Sequence, residues 1–123
     1  MTPISDAESL VMDVLWNKHP LSAEDVVAAL ASSVDWQEPT IKTLLNRLLN
    51  KQAIAAERTG RRYLYRPLLS RADYVHAESK TLLDRLFDGR VAPLVAHFSQ
   101  HHRLSKKDIA QLKRLIEEID HGV

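Results

Sequence analysis

The stretch EPTIKTLLNRLLNKQ, residues 38–52, sets hydrogen-bonding side chains at helical spacing: Thr40, Thr43, Asn46, Arg47 and Asn50, with Lys42 and Lys51 at the flanks. No acid occurs from Pro39 to Ala56. A solvated helix face usually mixes both signs of charge, so a face of amides, hydroxyls and cations calls for another partner. An arginine fork can pair with guanine O6 and N7, an asparagine with adenine, and a threonine methyl with a thymine methyl. Acids would be repelled by phosphates. The chemistry on offer is therefore recognition of base edges by Thr40, Thr43, Asn46, Arg47 and Asn50, with Lys42 and Lys51 assigned to phosphates, which fix register and not sequence.

The same stretch carries its own foundation. Ile41, Leu44, Leu45, Leu48 and Leu49 recur at i, i+3, i+4, i+7 and i+8, the stripe of a helix packed on a core. Pro39 suits a first helical turn. Two earlier helices are announced by capping boxes, Ser5/Glu8 and Ser22/Asp25. The first spans about 5–18, with Ala7, Leu10, Val11, Val14 and Leu15 inward, and stops at His19-Pro20. The second covers about 23–32. Ser33–Trp36 reads as a loop or short strand. After the third helix the periodicity switches to two, and Gly60 separates short runs at about 54–58 and 63–67, a β-hairpin closed by Pro67. Tyr63 and Tyr65 read as sheet and core residues. Arg58, Arg61 and Arg62 sit at the tip, placed to follow a phosphate strand or enter a minor groove.

Charge agrees with this assignment. Residues 39–71 hold eight Lys/Arg and one acid, Glu57, of the 17 bases and 16 acids in the chain. One contiguous third is thus strongly basic while the remainder is acidic, which points to a polyanionic partner. There are no cysteines, so disulfides, thiolate metal sites and cysteine nucleophiles are excluded. No G-x-S-x-G, H-E-x-x-H or glycine-rich phosphate loop occurs, and the chain is not expected to be an enzyme. No cofactor is expected. The N-terminus shows neither a basic n-region nor an apolar h-region, and no apolar run is long enough to span a bilayer. The expectation is a cytoplasmic protein without membrane insertion.

Beyond the hairpin the chain is helical again, at about 71–87, 91–101 and from Ser105 onward, with capping boxes at Ser70/Asp73 and Ser105/Asp108. Ile109, Leu112, Ile116 and Ile119 follow the 3-4-3 spacing of a two-helix seam. With Leu82, Leu86, Leu94 and Phe98 they form the expected dimerisation surface, because roughly 50 residues bury three amphipathic helices poorly by themselves. The fold class expected is mainly α with a small β-hairpin wing: a winged helix-turn-helix domain, 1–69, and a C-terminal three-helix dimerisation domain, 70–123.

Four segments, ISDAESLVMDVLW, DWQEPTIKTLLNRLLNK, YLYRPL and LSKKDIAQLKRLIEE, together resemble the penicillinase and methicillin-resistance repressor family, whose wider membership includes copper-responsive repressors. The resemblance covers about residues 4–119. It implies a homodimeric winged-helix repressor on double-stranded DNA of dyad symmetry, with inverted repeats built around TACA and TGTA. Thr43 and Arg47 match recognition-helix positions that face bases. It also implies control of a β-lactamase or cell-wall operon, with release through a membrane sensor metalloprotease. Three departures stand out. Gln52 replaces the glycine that often ends the recognition helix. His97-Phe98 matches the cleavable Asn-Phe pair of the resistance repressors. The cysteine pairs of the copper-responsive branch are missing. Two alternatives are kept: a metal-responsive repressor using His97, His101 and His102, and a winged-helix module that binds protein.

Overall fold

The computed structural model describes residues 3–101 and 103–122. Six helices and one hairpin follow in the order α1 (Asp6–Asn17), α2 (Ala23–Leu30), α3 (Glu38–Asn50), β1 (Ile54–Thr59), β2 (Arg62–Pro67), α4 (Arg71–Leu86), α5 (Val91–Gln100) and α6 (Lys106–Asp120). The caps explain the starts. Ser5 accepts from the Glu8 amide at 3.1 Å while Glu8 Oε1 accepts from the Ser5 amide at 2.8 Å. Ser22/Asp25 and Ser105/Asp108 form the same reciprocal pairs. At α4 only one half of the expected box is present, Ser70 Oγ accepting from the Asp73 amide. Such caps are each worth about 1 kcal/mol.

Two compact units divide the chain, residues 1–75 and 76–123, and the division falls within α4. Its first turn belongs to the first unit because Tyr74 packs on Trp16, ring centroids 5.4 Å apart, and Trp16 Nε1 donates to the Leu69 carbonyl at 2.8 Å.

The first unit is a winged helix. Its core joins Val11, Met12 and Leu15 of α1, Val26 and Leu30 of α2, and Ile41, Leu44, Leu45 and Leu48 of α3 to Ile54 and Tyr65 of the hairpin. The inward face of α1 is turned by about one position from the expected stripe. Met12 and Glu8 are buried, while Ala7, Leu10 and Val14 are half-buried at the rim. The hairpin pairs Ile54 with Pro67 through Thr59 with Arg62. Gly60, at φ +65°, takes the first central position of a two-residue loop, where an L side chain would be strained. Leu21 adds a bridge, exchanging backbone hydrogen bonds of 3.0 and 2.7 Å with Tyr65. Ser33–Trp36 is loop, so the extra extended residue precedes α2 instead of following it. Tyr65 is buried, but Tyr63 is 52% exposed because it lies one pair from the hairpin end, beyond the reach of the core.

In the second unit no described residue is buried. Leu82, Leu86, Phe98, Ile109, Ile116 and Ile119 are exposed, Leu115 with them, and Leu94 and Leu112 are half-buried. Among the described residues no helix is long and apolar enough to cross a membrane.

Candidate nucleic-acid interface

The candidate recognition face lies on α3, whose buried and exposed sides are cleanly divided. Ile41, Leu44, Leu45 and Leu48 are buried, while Thr40, Lys42, Thr43, Asn46, Arg47 and Asn50 are all exposed. Thr43 Oγ1 donates to the Pro39 carbonyl of its own helix at 3.0 Å, which leaves its methyl group for apolar contact. Arg47, Asn46 and Asn50 have no side-chain hydrogen bond or ion pair among the described residues, so their donors are uncommitted. Lys42 meets Glu38 one turn back at 3.3 Å, both side chains largely exposed. Exposed pairs of this kind are worth well under about 1 kcal/mol and give way to a stronger anion.

Lys51 departs from its expected role. It is the C-cap of α3, and its Nζ binds the buried Glu8 carboxylate and donates to the Pro3 carbonyl at 2.8 Å. Its charge is spent inside the first unit. Burial pushes the Glu8 carboxyl up, but the hydrogen bonds from Lys51 and Ser5 together outweigh it and hold the group below its ordinary value. Sequence reasoning misses this pair, because the stripe expected for α1 leaves Glu8 off the inward face; the signal that could have found it is the buried series itself. Glu8 falls in the series 8, 11, 12, 15, so an acid lies on the buried face of α1 and requires a cation.

The same end of α3 keeps the turn usual for glycine, where Gln52 in its place was expected to change or strain it. Gln52 adopts φ +61°, the left-handed conformation usual for glycine. Its amide donates to the Leu49 carbonyl and the Ala53 amide to Leu48, both at 3.0 Å, the paired bonds of a Schellman motif.

The hairpin tip lies beside the N-termini of α2 and α3, around a cleft of about 140 Å³ lined by Ser22, Lys42, Arg61, Arg62 and Tyr63 together with Glu24 and Glu38. The three tip arginines are not equivalent. Arg58 Nε donates to the Gly60 carbonyl at 3.0 Å. Arg62 donates to Ser22 Oγ at 2.9 Å and lies 3.6 Å from Asp25. Hydrogen bonding by Ser22, and more weakly the charge of Arg62, hold the Asp25 carboxyl below its ordinary value. Arg61, at the second loop position, has no such partner among the described residues.

In the second unit, the rings of His97, on α5, and His101, its C-cap, lie 4.6 Å apart at a tilt of 46°. His102 lies outside the described residues. Among the described residues no group of three His, Asp or Glu side chains is close enough to hold a metal ion. The His97-Phe98 bond is inside α5, its flanking carbonyls accepting from the His101 and Arg103 amides at 3.2 and 2.9 Å.

Residues 4–118 match the penicillinase repressor family. The chain belongs to it. Members of the penicillinase repressor family are DNA-binding transcriptional repressors, not enzymes. The penicillinase repressor of Bacillus licheniformis is 33% identical over 115 residues, 94% of this chain and 90% of the relative. The methicillin resistance regulatory protein MecI of Staphylococcus aureus strain N315 is 29% identical, with 94% of both chains covered. Among solved structures, the DNA-binding domain of the repressor BlaI superposes with a TM-score of 0.53 at 37% identity, covering 58% of this chain and 87% of that one. The Bacillus licheniformis BlaI monomer bound to the blaP half-operator gives 0.52 at 36% identity, covering 59% and 89%.

Proposed function

We propose that this protein is a homodimeric repressor that reads an inverted-repeat operator through α3 and represses a β-lactamase, cell-wall-stress or related resistance operon. The observation that carries the reading is the exposed, uncommitted face of α3: Asn46, Arg47 and Asn50 with the Thr40 and Thr43 side chains. Arg47 and the asparagines address base edges, and Lys42 and Arg61 address phosphates, with Arg58 and Arg62 supporting the wing. BlaI, a relative with the same winged-helix unit, has been solved on a half-operator, which supports the same use of this face.

The second copy is supported by the apolar residues left exposed in the second unit, Leu82, Leu86, Phe98, Ile109, Ile116 and Ile119, with Leu94 and Leu112 half-buried between them. Release follows a signal from a membrane sensor metalloprotease. If it acts at His97-Phe98, the last turn of α5 must open first, because both carbonyls are hydrogen-bonded.

Fluorescence anisotropy of the protein with the duplex upstream of its own gene, against a scrambled duplex at two salt concentrations, tests the reading. Tight binding to the first duplex that weakens steeply with salt is expected. Equal, weak binding to both would defeat it.

A further inference from the structure

The base-reading face of α3 needs none of the chemistry gathered at the helix's other end. There Lys51 Nζ meets two groups, the Glu8 carboxylate and the Pro3 carbonyl, and the same Glu8 Oε1 also accepts from the Ser5 amide in the capping box of α1. Glu8 is only 1% exposed, and its Oε2 has no hydrogen-bond partner among the described residues. A buried ion pair is a poor device for stability, since a well-packed apolar pair of equal volume does as well or better. What it does supply is direction, because a lysine and a carboxylate satisfy one another in few arrangements.

The same junction reaches the wing. Lys51 is followed by left-handed Gln52 and then by Ala53, whose carbonyl accepts from the Leu68 and Leu69 amides at 2.8 and 3.0 Å. The C-terminus of α3, the start of α1 and the base of the hairpin therefore meet at one polar knot.

We infer that the Glu8–Lys51 pair is a positioning device for DNA recognition: it sets the angle at which α3 and the wing address the duplex, and Lys51 acts through α3 without touching a phosphate. This rests on the DNA-binding reading proposed above. A small tilt of α3 moves Arg47 and Asn50 relative to base edges but leaves the count of phosphate contacts unchanged. Discrimination and salt dependence therefore separate.

The experiment compares wild type, Glu8→Gln and Lys51→Met on the upstream and scrambled duplexes across a salt series, each variant first checked for folding by circular dichroism. Glu8→Gln keeps the Lys51 charge and the acceptor of the capping box while cancelling the ion pair. The ratio of upstream to scrambled affinity should fall about tenfold in both variants, the equivalent of one good base contact. The slope of log affinity against log salt should stay at the wild-type value. A slope shallower by about one in Lys51→Met would make Lys51 a phosphate ligand and overturn the inference. A wild-type affinity ratio in folded Glu8→Gln would reduce the pair to packing and overturn it equally. Should Lys51→Met not fold, Glu8→Gln decides alone. A wild-type protein that fails to prefer its upstream duplex would remove the DNA reading, and this inference with it.

Discussion

Gln52 holds a backbone conformation that costs an L side chain roughly 1 kcal/mol or more, yet the Schellman bonds around it are intact. Replacing it with glycine relieves that cost. Gln52→Gly is expected to raise stability by about 1 kcal/mol in urea unfolding, with operator affinity unchanged. Glu8 makes a second prediction. Its folded pKa lies below the ordinary value of 4.5, so its stabilising contribution is complete above that pH and is lost as pH falls through the folded value. Glu8→Gln should therefore flatten the acid limb of a stability–pH profile measured by thermal melting. The family resemblance marks Gln52 as a position where glycine is usual, while the stripe expected for α1 leaves Glu8 to its capping box and off the buried face. Nor does the sequence show that Lys51 is the partner, because the two residues lie on different helices and only their packing brings them together.

At the level of elements, the proposed function gives sequence preference to α3 and general affinity to the hairpin. Arg47→Ala should lower operator discrimination and cost about 1–3 kcal/mol per half-site in anisotropy titrations. Arg61→Ala should weaken binding to every duplex and make the salt slope shallower by about one. Arg62→Ala should do so less, since Arg62 is already engaged with Ser22 and Asp25. Charge and spacing place all three tip arginines alike, and only the fold of the tip tells them apart. The helices and hairpin themselves were legible, because capping boxes, a 3.6 period and a glycine turn are local signals. The Leu21–Tyr65 bridge was not, since a single bridging residue leaves no period to detect. The turn of α1 toward Met12 escaped for a related reason: the apolar residues 7, 10, 11, 12, 14 and 15 wrap so far around the helix that the pattern alone does not choose a face.

At the level of the whole molecule, the two units differ in how they are held. The first encloses its own core, and the second leaves Ile109, Ile116 and Ile119 at 42, 57 and 73% exposure. In the proposed dimer these form the seam, so Ile116→Asp buries an unpaired charge. Sedimentation should show a monomer, and operator affinity should fall with it. An Ile116→Asp protein that stays dimeric would move the seam elsewhere. The 3-4-3 spacing announces this surface in the sequence, but the partner that covers it is not encoded in any local pattern.

A unit in which no described residue is buried has a further meaning for the living cell. With the proposed partner, residues 76–122 gain their interior only by meeting a second chain, so their resistance to unfolding depends on how many chains are present. Newly made copies below the dissociation threshold would be open to degradation, while copies above it would protect one another. Abundance would then fix lifetime, and a modest fall in synthesis would clear the remaining molecules faster than dilution alone.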